Sequence, residues 1–146
     1  MKVKLQIKVL KLDPAASLPT YSYVGPFGDL CADLRSLDRH EIDPDTVIRV
    51  GIGIALEIPP EYGALIEDRS GLAAKGLCTL GGVIDPGYRG EIQVILANVG
   101  RNQITINPGD RIAQLRIVKR ISADFVEASS VANTDRGSGG FGSTGS

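Results

Sequence analysis

The stretch Ile48–Pro60, IRVGIGIALEIPP, decides what kind of fold this chain can have. Ile48, Val50, Ile52, Ile54, Leu56 and Ile58 alternate with Arg49, Gly51, Gly53, Ala55 and Glu57. A period of two lines one face of a strand with apolar side chains, whereas a helix would need a period of 3.6. Pro59 and Pro60 end the run, because proline cannot donate to a strand ladder. The alternation predicts one long strand with the small and polar residues on its other face.

The same period recurs on both sides. Val3, Leu5, Ile7 and Val9 alternate with Lys2, Lys4, Gln6 and Lys8, and EIQVILANV (Glu91–Val99), QITI (Gln103–Ile106) and RIAQLRIVK (Arg111–Lys119) read as further strands. Only SGLAAKG, around Leu72–Lys75, has helical character, for one or two turns. Short strands separated by Gly, Pro, Asn and Asp predict an all-β sandwich, jelly roll or barrel.

The chain has 146 residues, 42% of them apolar, which suits a single globular domain with a real core. A net charge of −1 gives no basic field for nucleic acid or an anionic membrane. No apolar run approaches the roughly 20 residues of a membrane span. MKVKLQIKVLKL lacks the continuous apolar core of a signal peptide, so a soluble, cytoplasmic protein is expected. Two cysteines, Cys31 and Cys78, and one histidine, His40, make a poor zinc site. The cysteines are expected as small buried or half-buried thiols. His40, in the charged stretch LDRHEIDPD, is expected in a solvated loop, which leaves carboxylates, arginines and a hard metal to carry any chemistry.

The end of the chain differs in kind. Arg136–Ser146 holds five glycines and three serines, buries too little apolar surface to offset its ordering entropy, and is expected to be mobile. Gly137, Gly139 and Gly142 fit G-x-G-x-x-G, but no strand precedes and no helix follows, so the dinucleotide reading fails. A phosphate-loop reading fails on the same context and on Ser143, which stands where lysine belongs. Glycines can still turn consecutive N–H groups toward one anion. The expected organisation is therefore a β domain over residues 1–132 and a flexible lid over 133–146.

Four other stretches carry more than packing. LCADLRS sets Asp33 in an apolar frame, and EDRSGLAAKG leads Arg69 and Ser70 into the short helical turn, which Ser70 could cap. GGVIDPGYRGEI contains a turn at Asp85-Pro86-Gly87, with glycine placed to accept a positive φ. The turn does not account for Asp85, Tyr88 and Arg89 together, nor for Gly81, Gly82 and Gly90. PGDRIAQL makes a turn at Pro108-Gly109 and sets Gln114 among apolar neighbours.

In this order and spacing, the stretches resemble the five motifs of the trimeric dUTPase family. Asp33-Leu34 resembles the first, Arg69-Ser70-Gly71 the second, and Gly82-Val83-Ile84-Asp85 through Tyr88-Arg89-Gly90 the third. Gly109–Gln114 resembles the fourth and Arg136–Ser143 the fifth. The resemblance implies a distorted, jelly-roll-like β-barrel with one short helix, assembled as a closed homotrimer that shares its active sites between subunits. It implies hydrolysis of dUTP to dUMP and pyrophosphate with Mg²⁺, which keeps uracil out of DNA and supplies dUMP for thymidylate synthesis. Asp85 would activate the attacking water and bond the 3′-hydroxyl, and Asp33 would hold waters of the metal or help seat the sugar. Tyr88 would lie under the deoxyribose, and the backbone of Gly82, Val83 and Ile84 would bond uracil. Arg69, Ser70, Gly71 and Gln114 would contact phosphates. From the lid, Arg136 would meet the γ-phosphate, Gly140 and Gly142 would wrap the chain, and Phe141 would stack on the base.

Two positions depart from the family pattern. Cys31 stands where glycine is usual, and Asp68 where proline is usual; Asp68 is expected to point outward or pair with a cation. The alternative readings are a dCTP deaminase, alone or bifunctional with dUTP hydrolysis, and a non-catalytic nucleotide-binding trimer. The intact GVIDPGYRGEI with Asp85 favours the hydrolase over both.

Overall fold

The computed structural model describes residues 4–145, so the expected start of the first strand at Lys2 and Val3 lies outside the described residues. Eleven strands and one helical turn follow in order: β1 (Lys8–Lys11), β2 (Ala32–Arg35), β3 (His40–Ile42), β4 (Thr46–Gly51), β5 (Ile54–Glu57), β6 (Tyr62–Glu67), α1 (Ser70–Ala73), β7 (Leu77–Leu80), β8 (Val83–Ile84), β9 (Gln93–Asn98), β10 (Ile104–Ile106) and β11 (Arg111–Lys119). Pairing is antiparallel throughout and gives four small sheets, β1-β5, β10-β3, β2-β11-β6-β8 and β4-β9-β7. This is the expected all-β, jelly-roll-like barrel with one short helix. No helix among the described residues is long and apolar enough to cross a membrane.

The stretch Ile48–Ile58 departs from its expected form. It is two strands in two sheets, β4 against β9 and β5 against β1, separated at Ile52-Gly53. Gly53 takes φ +73°, and a Cβ there would lie 2.9 Å from the Ala16 side chain, so only glycine makes this corner without strain. Past the corner the two-face alternation ends. Ile52, Ile54, Ala55 and Leu56 are all buried, because both faces of β5 are covered. Ile52, Ile54 and Leu56 join Leu34, Ile42, Val50, Ile66, Leu77, Ile92, Val94, Leu96, Ile106, Ile112 and Leu115 in one contiguous core. Burying a side chain of this size contributes about 1.5–3 kcal/mol.

The central element is β11, which pairs with β2 on one side and β6 on the other. Its register against β2 slips between Arg111 and Ala113. The bulge turns Ile112 and Ala113 both inward, at 1% and 0% exposure, and resets the alternation so that Gln114 is half-exposed and Leu115 is buried.

Three further expectations are corrected. His40 is not in a solvated loop: it opens β3, opposite Ile106, half-buried, and its Nε2 is buried without a hydrogen-bond partner. The helical turn begins at Ser70 rather than near Leu72, its N-cap is Arg69, and no side chain caps it, so capping does not explain Ser70. The turn at Asp85–Tyr88 closes with the Tyr88 N–H donating to the Asp85 carbonyl at 3.1 Å, yet Gly87 is not among the positive-φ residues. By contrast, the expected turn at Pro108-Gly109 forms, with Gly109 at φ +85° and the Asp110 N–H donating to the Asn107 carbonyl.

Candidate active site

The pairing across β11 sets Gln114 directly opposite Asp33 of β2 and Glu67 of β6. Immediately after β6, the chain turns through Asp68 and Arg69 into α1. These elements wall a cleft of about 680 Å³ lined by Ser22, Asp29, Cys31, Asp33, Glu67, Arg69, Ser70, Gly71, Arg111 and Gln114, among others. It lies within the size range of small-molecule sites.

Asp33 is buried, and its carboxylate lies 3.3 Å from Nε of Arg69 and 3.6 Å from a guanidinium nitrogen of Arg111, while the Ser22 hydroxyl donates to it at 3.2 Å. Two guanidiniums share the one Asp33 carboxylate, so N–H donors remain in the cleft for an anion with several oxygens, although Asp29 and Glu67 line it too. Gln114 donates through Nε2 to the Asp68 carbonyl at 2.6 Å and keeps a second amide hydrogen for a ligand. A Cβ at Gly71 would meet nothing within 4 Å, so packing within the chain does not require glycine there.

Among the described residues, no three His, Cys, Asp or Glu side chains are grouped to hold a metal ion. The cleft does offer hard oxygen donors in Asp33, Ser22 and Ser70, which suits a hydrated divalent ion carried by its anion rather than caged by protein.

The departure residues have local explanations. Asp68 is exposed and does not line the cleft, as expected of an outward residue; its carboxylate accepts a hydrogen bond from the Thr79 N–H and makes no ion pair among the described residues. Cys31 is a buried free thiol whose Sγ lies 3.7 Å from Glu67, and Glu67 in turn pairs with Arg116 at 2.6 Å. Burial, reinforced by the Glu67 carboxylate, pushes the Cys31 thiol above its ordinary range. Cys78 is half-buried and free, so both thiols are as expected.

The residues of the third motif lie elsewhere. Val83, Ile84, Asp85, Tyr88, Glu91 and Gln93 line a separate hollow of about 160 Å³, too small to enclose a nucleoside without another surface. Asp85 is exposed at the start of the loop after β8, with Arg89 folded back to donate to the Pro86 carbonyl. The Tyr88 hydroxyl donates to the Glu91 carbonyl at 2.8 Å. Close approach explains two of the glycines. A Cβ at Gly90 would lie 2.5 Å from the Tyr88 hydroxyl, and one at Gly82 would lie 2.9 Å from the Ile66 carbonyl oxygen.

The fifth-motif residues touch neither cleft nor hollow. From Thr134 to Gly145 the described hydrogen bonds run within the segment, including Arg136 Nε to the Gly139 carbonyl at 2.8 Å. Phe141 is fully exposed, at φ +50°. One chain thus brings together Asp33, Arg69, Ser70, Gly71 and Gln114, groups Val83, Ile84, Asp85 and Tyr88 separately, and leaves Arg136, Gly140, Phe141 and Gly142 apart from both.

Sequence reasoning missed Arg111, Glu67 and Glu91 as members of these groups. All three sit inside the quoted stretches, but no periodicity marks them: the slip at Ile112 reverses the parity of Arg111 against Gln114, and Glu91 lies in the loop before β9.

Comparison with known proteins gives a consistent picture. Residues 16–145 match the dUTPase family model. The deoxyuridine 5'-triphosphate nucleotidohydrolase of Solibacter usitatus (strain Ellin6076) is 41% identical over 148 residues, covering 99% of each chain. That of Hydrogenobaculum sp. (strain Y04AAS1) is 46% identical over 148 residues, covering 98% of this chain and 99% of the relative. The fold is similar to that of Staphylococcus bacteriophage 80alpha dUTPase, solved with dUPNHPP, at TM-score 0.84 and 25% identity over 97% of this chain and 99% of that one. It is also similar in fold to a mutant dUTPase from phage phi11 of S. aureus, whose structure describes a structural Mg(II) ion, at TM-score 0.77 and 22% identity over 86% of this chain and 97% of that one.

Proposed function

This chain belongs to the dUTPase family and hydrolyses dUTP to dUMP and pyrophosphate; we propose the following assignment of its residues to that reaction. The observation that carries it is the cleft in which Asp33 holds Arg69 and Arg111 beside Ser70, Gly71 and Gln114. Hydrolysis of a triphosphate needs charge neutralisation, a positioned water and an in-line path more than covalent work by the protein.

Arg69 and Gln114 bind phosphate oxygens, the backbone of Gly71 approaches them closely, and Ser70 donates to the bridging oxygen between the α- and β-phosphorus as charge develops there. Asp85 orients a water and accepts its proton as the water oxygen bonds to the α-phosphorus; the bond to the bridging oxygen breaks, and pyrophosphate leaves. The same carboxylate holds the 3′-hydroxyl. Tyr88 lies under the deoxyribose and excludes a 2′-hydroxyl. The backbone of Gly82, Val83 and Ile84 pairs with the uracil edge, where cytosine would leave buried groups unpaired. Mg²⁺, when bound, spreads the triphosphate charge and orients the phosphates. Asp33 is the residue that would hold its waters while keeping the two arginines in place.

The site is assembled in a closed homotrimer. The separation of cleft, hollow and tail within one chain supports this reading, because the chain carries all three surfaces but holds them apart. Residues 1–132 form the barrel unit and 133–146 the lid, in which Arg136 takes the γ-phosphate, Gly140 and Gly142 wrap the chain and Phe141 covers the base. Two free thiols support a reducing, cytoplasmic setting.

The experiment is pyrophosphate release from dUTP with Mg²⁺, wild type against Asp85→Asn. The variant should fold as wild type and lose about 10²- to 10⁴-fold in kcat, the range for a general base. Wild-type kcat in Asp85→Asn would remove Asp85 from the reaction.

A further inference from the structure

We infer that Glu91 is a positioning residue that fixes Tyr88 and thereby sets discrimination between deoxyribose and ribose. The inference rests on Tyr88 lying under the sugar and adds what holds Tyr88 there.

Glu91 is bound from two directions. Its carboxylate accepts the N–H of Gly53 at 3.0 Å, across the corner between β4 and β5. That N–H belongs to a buried residue and has to be paired. The carboxylate also lies against Gly51, where a Cβ would come within 2.8 Å of Oε2. The flanking backbone is tied to the same corner, with the Ile92 N–H donating to the Ile54 carbonyl at 2.8 Å and the Ile52 N–H donating to the Ile92 carbonyl at 3.2 Å. The Glu91 carbonyl is therefore fixed relative to the core, and it accepts the Tyr88 hydroxyl at 2.8 Å.

The ring has little freedom on its other side. It lies close enough to Gly90 that any side chain there would displace the hydroxyl. A tyrosine at the tip of an exposed loop would ordinarily sample several rotamers. Here one hydrogen bond to a rigid acceptor and one missing Cβ select a single placement. A surface that excludes a 2′-hydroxyl works only if it cannot move aside, so the specificity of Tyr88 depends on the corner that Glu91 grips.

The test compares kcat/KM for dUTP and UTP in wild type, Glu91→Gln, Glu91→Ala, Tyr88→Phe and Tyr88→Ala. Glu91→Gln keeps an acceptor of equal size for Gly53 and should retain the wild-type dUTP/UTP ratio. Glu91→Ala should lower the ratio about three- to tenfold, the effect of one lost hydrogen bond. It should add little when combined with Tyr88→Ala, because the two act as one unit. Tyr88→Phe breaks the same contact from an exposed side chain that cannot unfold the barrel, and should lower the ratio by a similar factor even if Glu91→Ala proves unstable. A wild-type ratio in Glu91→Ala or Tyr88→Phe, with a lowered ratio in Tyr88→Ala, would overturn the Glu91 assignment alone. A wild-type ratio in Tyr88→Ala would overturn the sugar role of Tyr88, and failure of the wild-type protein to release pyrophosphate from dUTP would overturn the underlying reading.

Discussion

Asp33 and Arg69 face each other with 3.3 Å between a carboxylate oxygen and Nε, and Arg111 closes on the other oxygen at 3.6 Å. Asp33 is buried, whereas the two arginine side chains are 28% and 42% exposed. Replacing it with asparagine keeps its shape but removes the charge that holds both cations. Asp33→Asn should cost about 1–2 kcal/mol of stability, below the roughly 3–5 kcal/mol of a fully buried broken pair because the arginines reach water. It should also raise KM for dUTP as Arg69 loses its fixed position. Urea unfolding and steady-state kinetics read the two effects, and an unshifted midpoint would mean the pair adds nothing to the fold.

Assembly of the site from several chains predicts rescue between two dead proteins. Arg69→Ala and Asp85→Asn should each be nearly inactive. Coexpressed, they should recover activity well above the sum of the two, because some mixed trimers contain a site with both wild-type residues. Activity that stays at the sum would place every group of a site in one chain.

Removing the residues after Asn133 should leave unfolding within about 0.5 kcal/mol of wild type, as for surface changes that break no packing. No described hydrogen bond ties residues 134–145 to the barrel. The loss of Phe141 stacking alone, about 1–3 kcal/mol per base, should lower kcat/KM roughly 5- to 150-fold, and the loss of Arg136 should add to this. Unchanged kcat/KM would make the tail dispensable.

The raised Cys31 thiol predicts its reaction with pH. The folded state binds the proton more tightly than the unfolded chain, so this contribution to stability is present below the unfolded pKa and lost as pH rises through the folded value. In a Cys78→Ser background, alkylation of Cys31 should run at least about tenfold slower than in urea at pH 8 and keep rising with pH after the unfolded thiol has levelled off. Glu67→Gln should shift that profile down, since the Glu67 carboxylate contributes to the upward shift. Identical profiles in both proteins would remove Glu67 as a cause and leave burial, with the Asp29 charge, behind the shift.

Much of this was legible in the residue pattern, for a physical reason. Where one face of a strand meets water, the side chains alternate, and Arg111–Lys119 was read with the limits it has. The pattern misled where both faces are covered. Ile48–Ile58 alternates as if continuous, but Gly53 turns the chain into a second sheet, and glycine does not announce a corner by type alone. His40 looked solvated because its neighbours are charged, yet pairing with β10 half-buries it. In the site, residues that one strand order brings together, such as Asp33 and Gln114, came from recognisable motifs. Glu91 was hidden because its partner is a backbone N–H 38 residues away, which leaves no mark in local sequence.

The slip at Ile112 makes the length of one short piece of chain unusually consequential. Ile112 is the extra residue that lets Arg111 and Gln114, three positions apart, stand opposite Arg35 and Asp33, two positions apart, while it fills the core itself. Deleting it would restore a perfect ladder, with Arg111, Ala113 and Gln114 still opposite Arg35, Leu34 and Asp33, but would take a fully buried side chain out of the core. Between Arg111 and Gln114 the irregular strand is the better packed one, because the added residue feeds the core without moving the amide that faces Asp33.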